Sequence, residues 1–238
     1  MYLSQENIEQ IGNSILRDYE KRYPTNPHIP VDIEKFAQNY LGLQIEYQKL
    51  SETESILGLT SYKGIILELA FSDGSVHLSV PEDTILLDEH LERAINLRRR
   101  RFTIAHECAH QIIARIEESK TGCSFRRALI TGQTYSCRDL HTKEDWSEWQ
   151  ANALGAVLLI PKMELIEELE KGFTPFVPTL YGNRLNAPDY KRVKELSDIF
   201  CVSMAAMKIR LKELKRLITK PASEYADPRD VIYDYGGK

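Results

Sequence analysis

The sequence predicts an α+β fold, and three observations carry that expectation. Apolar residues recur at helical spacing in several separate segments, a clear β-hairpin lies between them, and no internal repeat or low-complexity tract breaks the order. Ile8, Ile11, Ile15 and Tyr19 mark an amphipathic helix over about 4–23 that Pro24 ends. After a Pro-containing connector from Pro24 to Pro30, Asp32 caps a second helix. Its apolar positions are Ile33, Phe36, Ala37 and Tyr40, and Gly42 stands where the last turn wants a positive φ. Leu43, Ile45 and Tyr47 alternate as a strand. In the hairpin, Ile65, Leu67, Leu69 and Phe71 alternate, Asp73-Gly74 supplies turn chemistry, and Val76, Leu78 and Val80 alternate again. The acidic stretch over 81–95 reads as loop. Longer helices are expected over about 96–116 and 144–160, with a polar connector between them. Pro161 and Gly172 frame one more short helix.

The 238 residues suffice for one well-filled domain with a small appendage, and are too few for several independent enzymes. With 42% hydrophobic and 28% charged residues the chain is ordinary globular material, not collagen-like or largely disordered. No apolar run approaches the roughly 18–20 residues of a membrane helix, because Asn152 and Gly155 interrupt the best candidate, so no membrane partner is expected. The first residues lack a basic segment followed by an apolar core. The four cysteines, Cys108, Cys123, Cys137 and Cys201, fit reduced thiols better than a disulfide framework, so the expected location is cytoplasmic.

Chemistry concentrates in Phe102-Thr-Ile-Ala-His-Glu-Cys-Ala-His110. Within a helix, His106 and His110 project from one face about 6 Å apart, close enough for two imidazoles to hold one Zn²⁺. Glu107 is placed to take a proton from water that the metal polarises, so it is the candidate general base and then proton donor to a leaving amine. Ile113 and Ile116 stand where a metzincin would have Gly and His, which excludes that class. The third ligand must come from elsewhere. Glu148 and Asn152, four apart on the following helix, supply a carboxylate for the metal and an amide oxygen to orient a ligating histidine. Two His, one Glu and an open position make a catalytic rather than a closed structural zinc set.

Two stretches carry a family resemblance: Arg101-Phe-Thr-Ile-Ala-His-Glu-x-x-His110, and Glu148-x-x-Ala-Asn-Ala-Leu-Gly-Ala-Val-Leu-Leu-Ile-Pro161. They resemble the ImmA/IrrE family of intracellular zinc metallopeptidases, which have a gluzincin-like ligand set. Ile29-Pro-Val-Asp-Ile-Glu-Lys-Phe-Ala37 is similar to that family's leading helix, and Phe200-Cys-Val-Ser-Met-Ala-Ala-Met-Lys-Ile-Arg-Leu211 to its C-terminal helix. The likeness runs over about 29–214. Cys108 and Ala109 replace the usual Leu and Gly, and Leu154 a usual Phe; these are packing substitutions. The resemblance implies a zincin-like fold, with a small antiparallel or mixed sheet packed on the metal-binding helix. It also implies a role: cleaving or inactivating a helix-turn-helix transcriptional repressor, which releases stress-response or mobile-element genes.

The net charge of −4 conceals an asymmetry. Residues 191–220 carry 9 Lys and Arg against 3 Asp and Glu, while the rest of the chain is acidic. The expected organisation is a peptidase domain over 1–186, a basic helical, helix-turn-helix-like subdomain over 187–220 and an acidic tail over 221–238. Helices over about 190–200 and 203–218, the second capped by Ser203, have that spacing. One reading gives DNA contact, with Lys208, Arg210, Lys212, Lys215 and Arg216 on phosphates. The favoured reading is a docking element whose Val202, Met204, Met207, Ile209 and Leu211 are packed away. A regulator that binds a repressor or DNA without cutting it is the alternative to a peptidase.

Other residues have plainer readings. Cys108 lies about 200° around the helix from His106 and faces the core. His28, His77, His90 and His141 are surface or hydrogen-bonded histidines. Arg98–Arg101 form ion pairs with Glu82, Asp83, Asp88, Glu89 and Glu92. His141, Tyr135 or Tyr181 could stabilise an oxyanion, and strand Ser75–Val80 could pair with an extended substrate.

Overall fold

The computed structural model describes residues 2–24, 28–121, 128–130, 142–171 and 175–225. The chain is mixed α and β and divides into two compact units, Met1–Pro161 and Lys162–Lys238.

In the first unit, α1 spans Gln5–Arg22, and Ser4 and Asn7 close a capping box at its start. Asp32 accepts from the Lys35 N–H and starts α2, Ile33–Lys35, which continues as a π-turn over Phe36–Tyr40 and ends at Gly42 with φ +72°. Five strands follow: β1 Gln44–Gln48, β2 Ile56–Ser61, β3 Ile65–Phe71, β4 Gly74–Val80 and β5 Thr84–Asp88. Then come α3, Leu97–Thr121, β6, Ala128–Ile130, and α4, Lys143–Leu159, which Thr142 and Asp145 box-cap.

The main sheet has the order β1-β5-β2-β6, with β1 parallel to β5 and the β2 pairings antiparallel. β3 and β4 form the expected hairpin as a separate two-stranded sheet. β5, expected as loop, is instead a wholly buried central strand. Its Ile85-Leu86-Leu87 core is a short continuous apolar run, the signature of a strand covered on both faces; Glu82, Asp83 and Asp88 crowd its ends and mask it. The expected polar connector likewise contributes β6, and α3 runs on to Thr121.

Alternation along β2 assigns its two faces. A Cβ on Gly58 would meet the Thr103 side chain of α3, and Thr60 accepts from Gln111 of α3. The even residues of β2 therefore face the helix. Leu59 on the other face, with Leu86, joins Leu50, Ile65, Leu69 and Val80 in a buried cluster under the hairpin. α4 packs along the remaining side of α3, and α1 packs on α4. Gly12 makes the last contact close, since a Cβ there would lie 2.4 Å from Val157 Cγ1. The Leu3 N–H donates to Gln150 Oε1 at 2.6 Å and pins the start of the chain to α4.

In the second unit, α5 spans Lys162–Glu170, directly after Pro161. β7, Thr179–Tyr181, pairs with β8, Arg184–Leu185, and in parallel with β9, Ile218–Lys220. α6, Ala187–Ile199, is capped by Asn186, and α7, Met204–Glu213, by Ser203, with a tight turn between them. α7 stops earlier than the pattern over 203–218 suggests. Lys215 takes φ +56°, its N–H reaches Lys212 O and the Arg216 N–H reaches Leu211 O, which closes a Schellman motif. Cys201, φ +51°, ends α6 the same way. Arg210 is fully buried and is withdrawn from any surface contact, whereas Lys212 and Lys215 are exposed. Val202, Met207 and Leu211 are buried as expected, but Ile209 is exposed. Of the tail, residues 226–238 lie outside the described residues. Among the described residues no helix is long and apolar enough to cross a membrane.

Candidate metal centre

α3 runs between the sheet and α4, so its middle is shut off from water: His106 and Glu107 are 0% exposed. The helical spacing does what the sequence requires. His106 and His110 turn their Nε2 atoms toward one point, 3.0 Å apart, with the rings nearly perpendicular. Glu148, buried on α4, completes the group: Oε2 lies 3.4 Å from His106 Nε2 and Oε1 3.3 Å from His110 Nε2. One donor atom from each of the three residues lies within 4.8 Å of the others, close enough for a single ion to reach all three. The buried His-His-Glu group can bind a metal ion.

Charge and hydrogen bonding point the same way. Asn152 Oδ1 lies 3.0 Å from His106 Nδ1. An amide oxygen only accepts, so Nδ1 carries the proton and Nε2 presents its lone pair to the shared point. Burial lowers the His106 pKa and favours that neutral ring, with Glu148 opposing it. Burial alone would raise the Glu148 carboxyl, but the two imidazoles outweigh it and bring it to about 2. Even so, Glu148 Oε1 has no well-angled hydrogen bond, and both carboxylate oxygens of Glu107 are buried without partners. Buried carboxyl oxygens left short of donors beside two imidazole lone pairs are groups that a cation would satisfy.

Glu107 follows His106 by one residue, about 100° around α3. Burial, and then the Glu148 charge, push its carboxyl well above the usual carboxylate range. One turn on, Gln111 donates from Nε2 to Thr60 Oγ1 at 2.7 Å and to Ser61 O at 3.1 Å, which ties the end of β2 to this part of α3. Gly155 lets α4 approach: a Cβ there would lie 3.2 Å from Ala105 C and from His106 N. Cys108, Ala109 and Leu154 are fully buried, so they are packing positions.

Of the five predicted site residues, His106, Glu107, His110 and Glu148 are buried in the first unit, and Asn152 is half-buried against His106. The candidates for oxyanion support do not join them. Tyr135 and His141 lie outside the described residues, as do Cys123 and Cys137. Tyr181 belongs to the second unit, edge-on to Tyr225. His28 and His77 are exposed; His90 is buried, with Nδ1 2.5 Å from Asp88 Oδ1. Two of the arginines before the motif also reach partners in other elements. Arg100 pairs with Glu34 and reaches the Leu91 and Glu92 carbonyls, and Arg101 donates to Val31 O.

Compared with protein-family models and with curated proteins, the chain matches none.

Sequence reasoning missed Gln111, Gly155 and Tyr62. Gln111 is four residues from Glu107, so its place on the Glu107 face was available from helical spacing. Tyr62 gave no local signal. It follows β2, half-buried, and burial, then the charges of Glu107 and Glu148, raise its phenol pKa.

Proposed function

We propose that the chain is a zinc-dependent endopeptidase of zincin-like fold, acting in the cytoplasm on a helix-turn-helix transcriptional repressor. The observation that carries the chemistry is the buried His106–His110–Glu148 group, whose donor atoms lie within 4.8 Å of one another, with Glu107 next along α3 and its carboxyl oxygens buried without a partner. The substrate class rests on the resemblance of the two metal motifs to the ImmA/IrrE family.

His106 and His110, through Nε2, and Glu148, through its carboxylate, would hold the ion. Zinc bound there supplies a Lewis acid for a peptide carbonyl and lowers the pKa of water at the site. Imidazole with carboxylate suits zinc better than calcium or magnesium, which favour oxygen ligands.

The remaining work falls to side chains. Asn152 fixes the His106 tautomer. Glu107 accepts a proton from the attacking water as its oxygen bonds to the peptide carbon, then delivers that proton to the amine nitrogen as the C–N bond breaks. Burial favours both steps, because a carboxylate with a raised pKa is a stronger base and its acid form persists long enough to donate.

The test mixes the purified zinc-loaded protein with helix-turn-helix regulators encoded near it. A discrete cleavage product that Glu107→Gln protein does not give is the expected result. Partner binding that survives Glu107→Gln, with no cleaved partner from the native protein, would replace the peptidase by a non-cutting regulator.

A further inference from the structure

The chain passes from α6 to α7 through Phe200, Cys201, Val202 and Ser203, and it turns at Cys201 with φ +51°. The Val202 N–H reaches Ser197 O at 2.9 Å, and Val202 is buried. Ser197, also buried, donates from Oγ to Val193 O and lies 3.4 Å from Met204 Sδ, so a small residue sits where α6 meets the start of α7. Two helices joined by so short a turn make a helix-turn-helix unit. Helical spacing then divides α7 into two faces. Met207, Arg210 and Leu211 point inward and are buried. Ala205, Lys208, Ile209 and Lys212, spaced i, i+3, i+4, i+7, form the other face, where Ile209 is 47% exposed.

We propose that this outer face of α7 binds duplex DNA, entering the major groove with Ala205, Lys208, Ile209 and Lys212. Charge complementarity selects the occupant. The acids of the two helices are already engaged: Glu195 pairs with Arg192, Asp198 with Lys194 and Glu213 with Arg210, while Asp189 accepts from the Thr179 N–H. Lys208, Lys212, Lys215 and Arg216 have no acidic partner among the described residues. Four such cations on and just beyond one helix suit a row of phosphates, which displaces their counterions. The protein as a whole carries −4, so attraction to a polyanion has to come from this local patch. A protein-docking face would need apolar area, but Val202, Met207 and Leu211 are packed inside the unit and Ile209 is the one large apolar side chain that α7 exposes. Ala205 and Ile209 offer apolar contact for thymine methyl groups, and Lys208 a donor for base edges. The inference concerns the second unit alone and stands whether or not the first unit cuts peptides.

The experiment uses the full chain and a fluorescein-labelled duplex of about 30 base pairs and mixed sequence, read by fluorescence anisotropy across a salt series. With four phosphate contacts the affinity is expected to fall about 100-fold between about 50 and 200 mM salt. For the protein carrying both Lys208→Ala and Lys212→Ala the fall should be only about 10-fold, from a weaker starting affinity. Lys63→Ala, which removes an exposed charge from the first unit, is expected to bind like the wild type, and so is Glu107→Gln. In amide NMR spectra of the wild type the duplex is expected to shift Ala205, Ile209 and Lys212, a readout independent of any variant's fold. Absence of duplex binding at the lower salt, amides of α7 that stay unmoved, or the same salt slope for wild type and double variant overturns the proposal. Poly-glutamate that binds as tightly as the duplex overturns it too, and assigns the face to an acidic protein segment.

Discussion

Gly155 of α4 rests against the backbone of Ala105 and His106 in α3, so close that a β-carbon would lie 3.2 Å from the His106 nitrogen. The contact is with backbone, which cannot swing aside as a side chain can. Gly155→Ala is therefore expected to lever α4 away by a few tenths of an ångström, costing about 1–3 kcal/mol in urea unfolding. Because Glu148 and Asn152 ride on α4, zinc affinity falls with stability. A variant of native stability and native zinc affinity would show that the helices have slack at this contact.

Asn152 affects the metal through His106 alone. Asn152→Ala removes the acceptor for Nδ1–H, frees the tautomer and is expected to weaken zinc binding about 10- to 100-fold, read by competition with a chromogenic chelator. Asn152→Asp keeps an acceptor there and should retain most of the affinity. If Ala and Asp variants weaken zinc equally, the hydrogen bond to His106 is not what the residue supplies.

These residues were legible because helical spacing is a local code. His106 with His110, and Glu148 with Asn152, each lie four apart, so the shared faces followed from the sequence and only the meeting of α3 with α4 awaited the structure. β5 was not legible, since its three central apolar residues stand between charges that locally outvote them. The bond from Gln111 to Thr60 was hidden for a different reason: it depends on how β2 registers against α3, a contact between distant parts of the chain that no periodicity encodes. The end of α7 was hidden because Lys215 occupies the left-handed position where glycine is the usual signal.

That last feature is itself testable. A residue with a β-carbon is strained at φ +56°, and Lys215 is exposed, so little packing is lost by removing its side chain. Lys215→Gly is expected to stabilise the protein by about 0.5–1 kcal/mol, seen as slower amide exchange at Arg216, whose N–H closes the motif. Faster exchange there would mean that the lysine side chain contributes more than the strain costs.

Asp88 gives the first unit a dependence on acid. Burial by itself would raise its carboxyl, but the Leu50 N–H, the His90 ring and the His90 N–H all bond to it and leave it below its ordinary value. A group whose pKa is depressed by folding stabilises the native state above its unfolded pKa, and that stability is lost as pH falls through the folded value. Below about pH 5, as the pH falls through the ordinary Asp value of 3.8 toward the lower folded one, the urea midpoint of the wild type should therefore drop more steeply than that of Asp88→Asn. At neutral pH the variant should be about 1–3 kcal/mol less stable, because three donors lose a charged acceptor. Parallel acid limbs for the two proteins would rule Asp88 out as the source.

The strongest expectation concerns the metal itself. Glu148 is buried against two imidazoles and both carboxyl oxygens of Glu107 are buried without a partner, an arrangement that costs folding energy unless a cation sits among them. An ion that binds only the folded chain stabilises it by mass action, about 4 kcal/mol when its free concentration is a thousand times Kd. Zinc should therefore raise the thermal midpoint and a chelator should lower it, with His110→Ala cancelling the difference because one of the three donors is gone. Magnesium at the same concentration should do nothing, since two imidazoles make a poor site for a hard, oxygen-seeking ion. A midpoint indifferent to zinc in the wild type would mean that the His106–His110–Glu148 group is held together by hydrogen bonds alone. Glu107 would then be a buried acid without a reaction to serve.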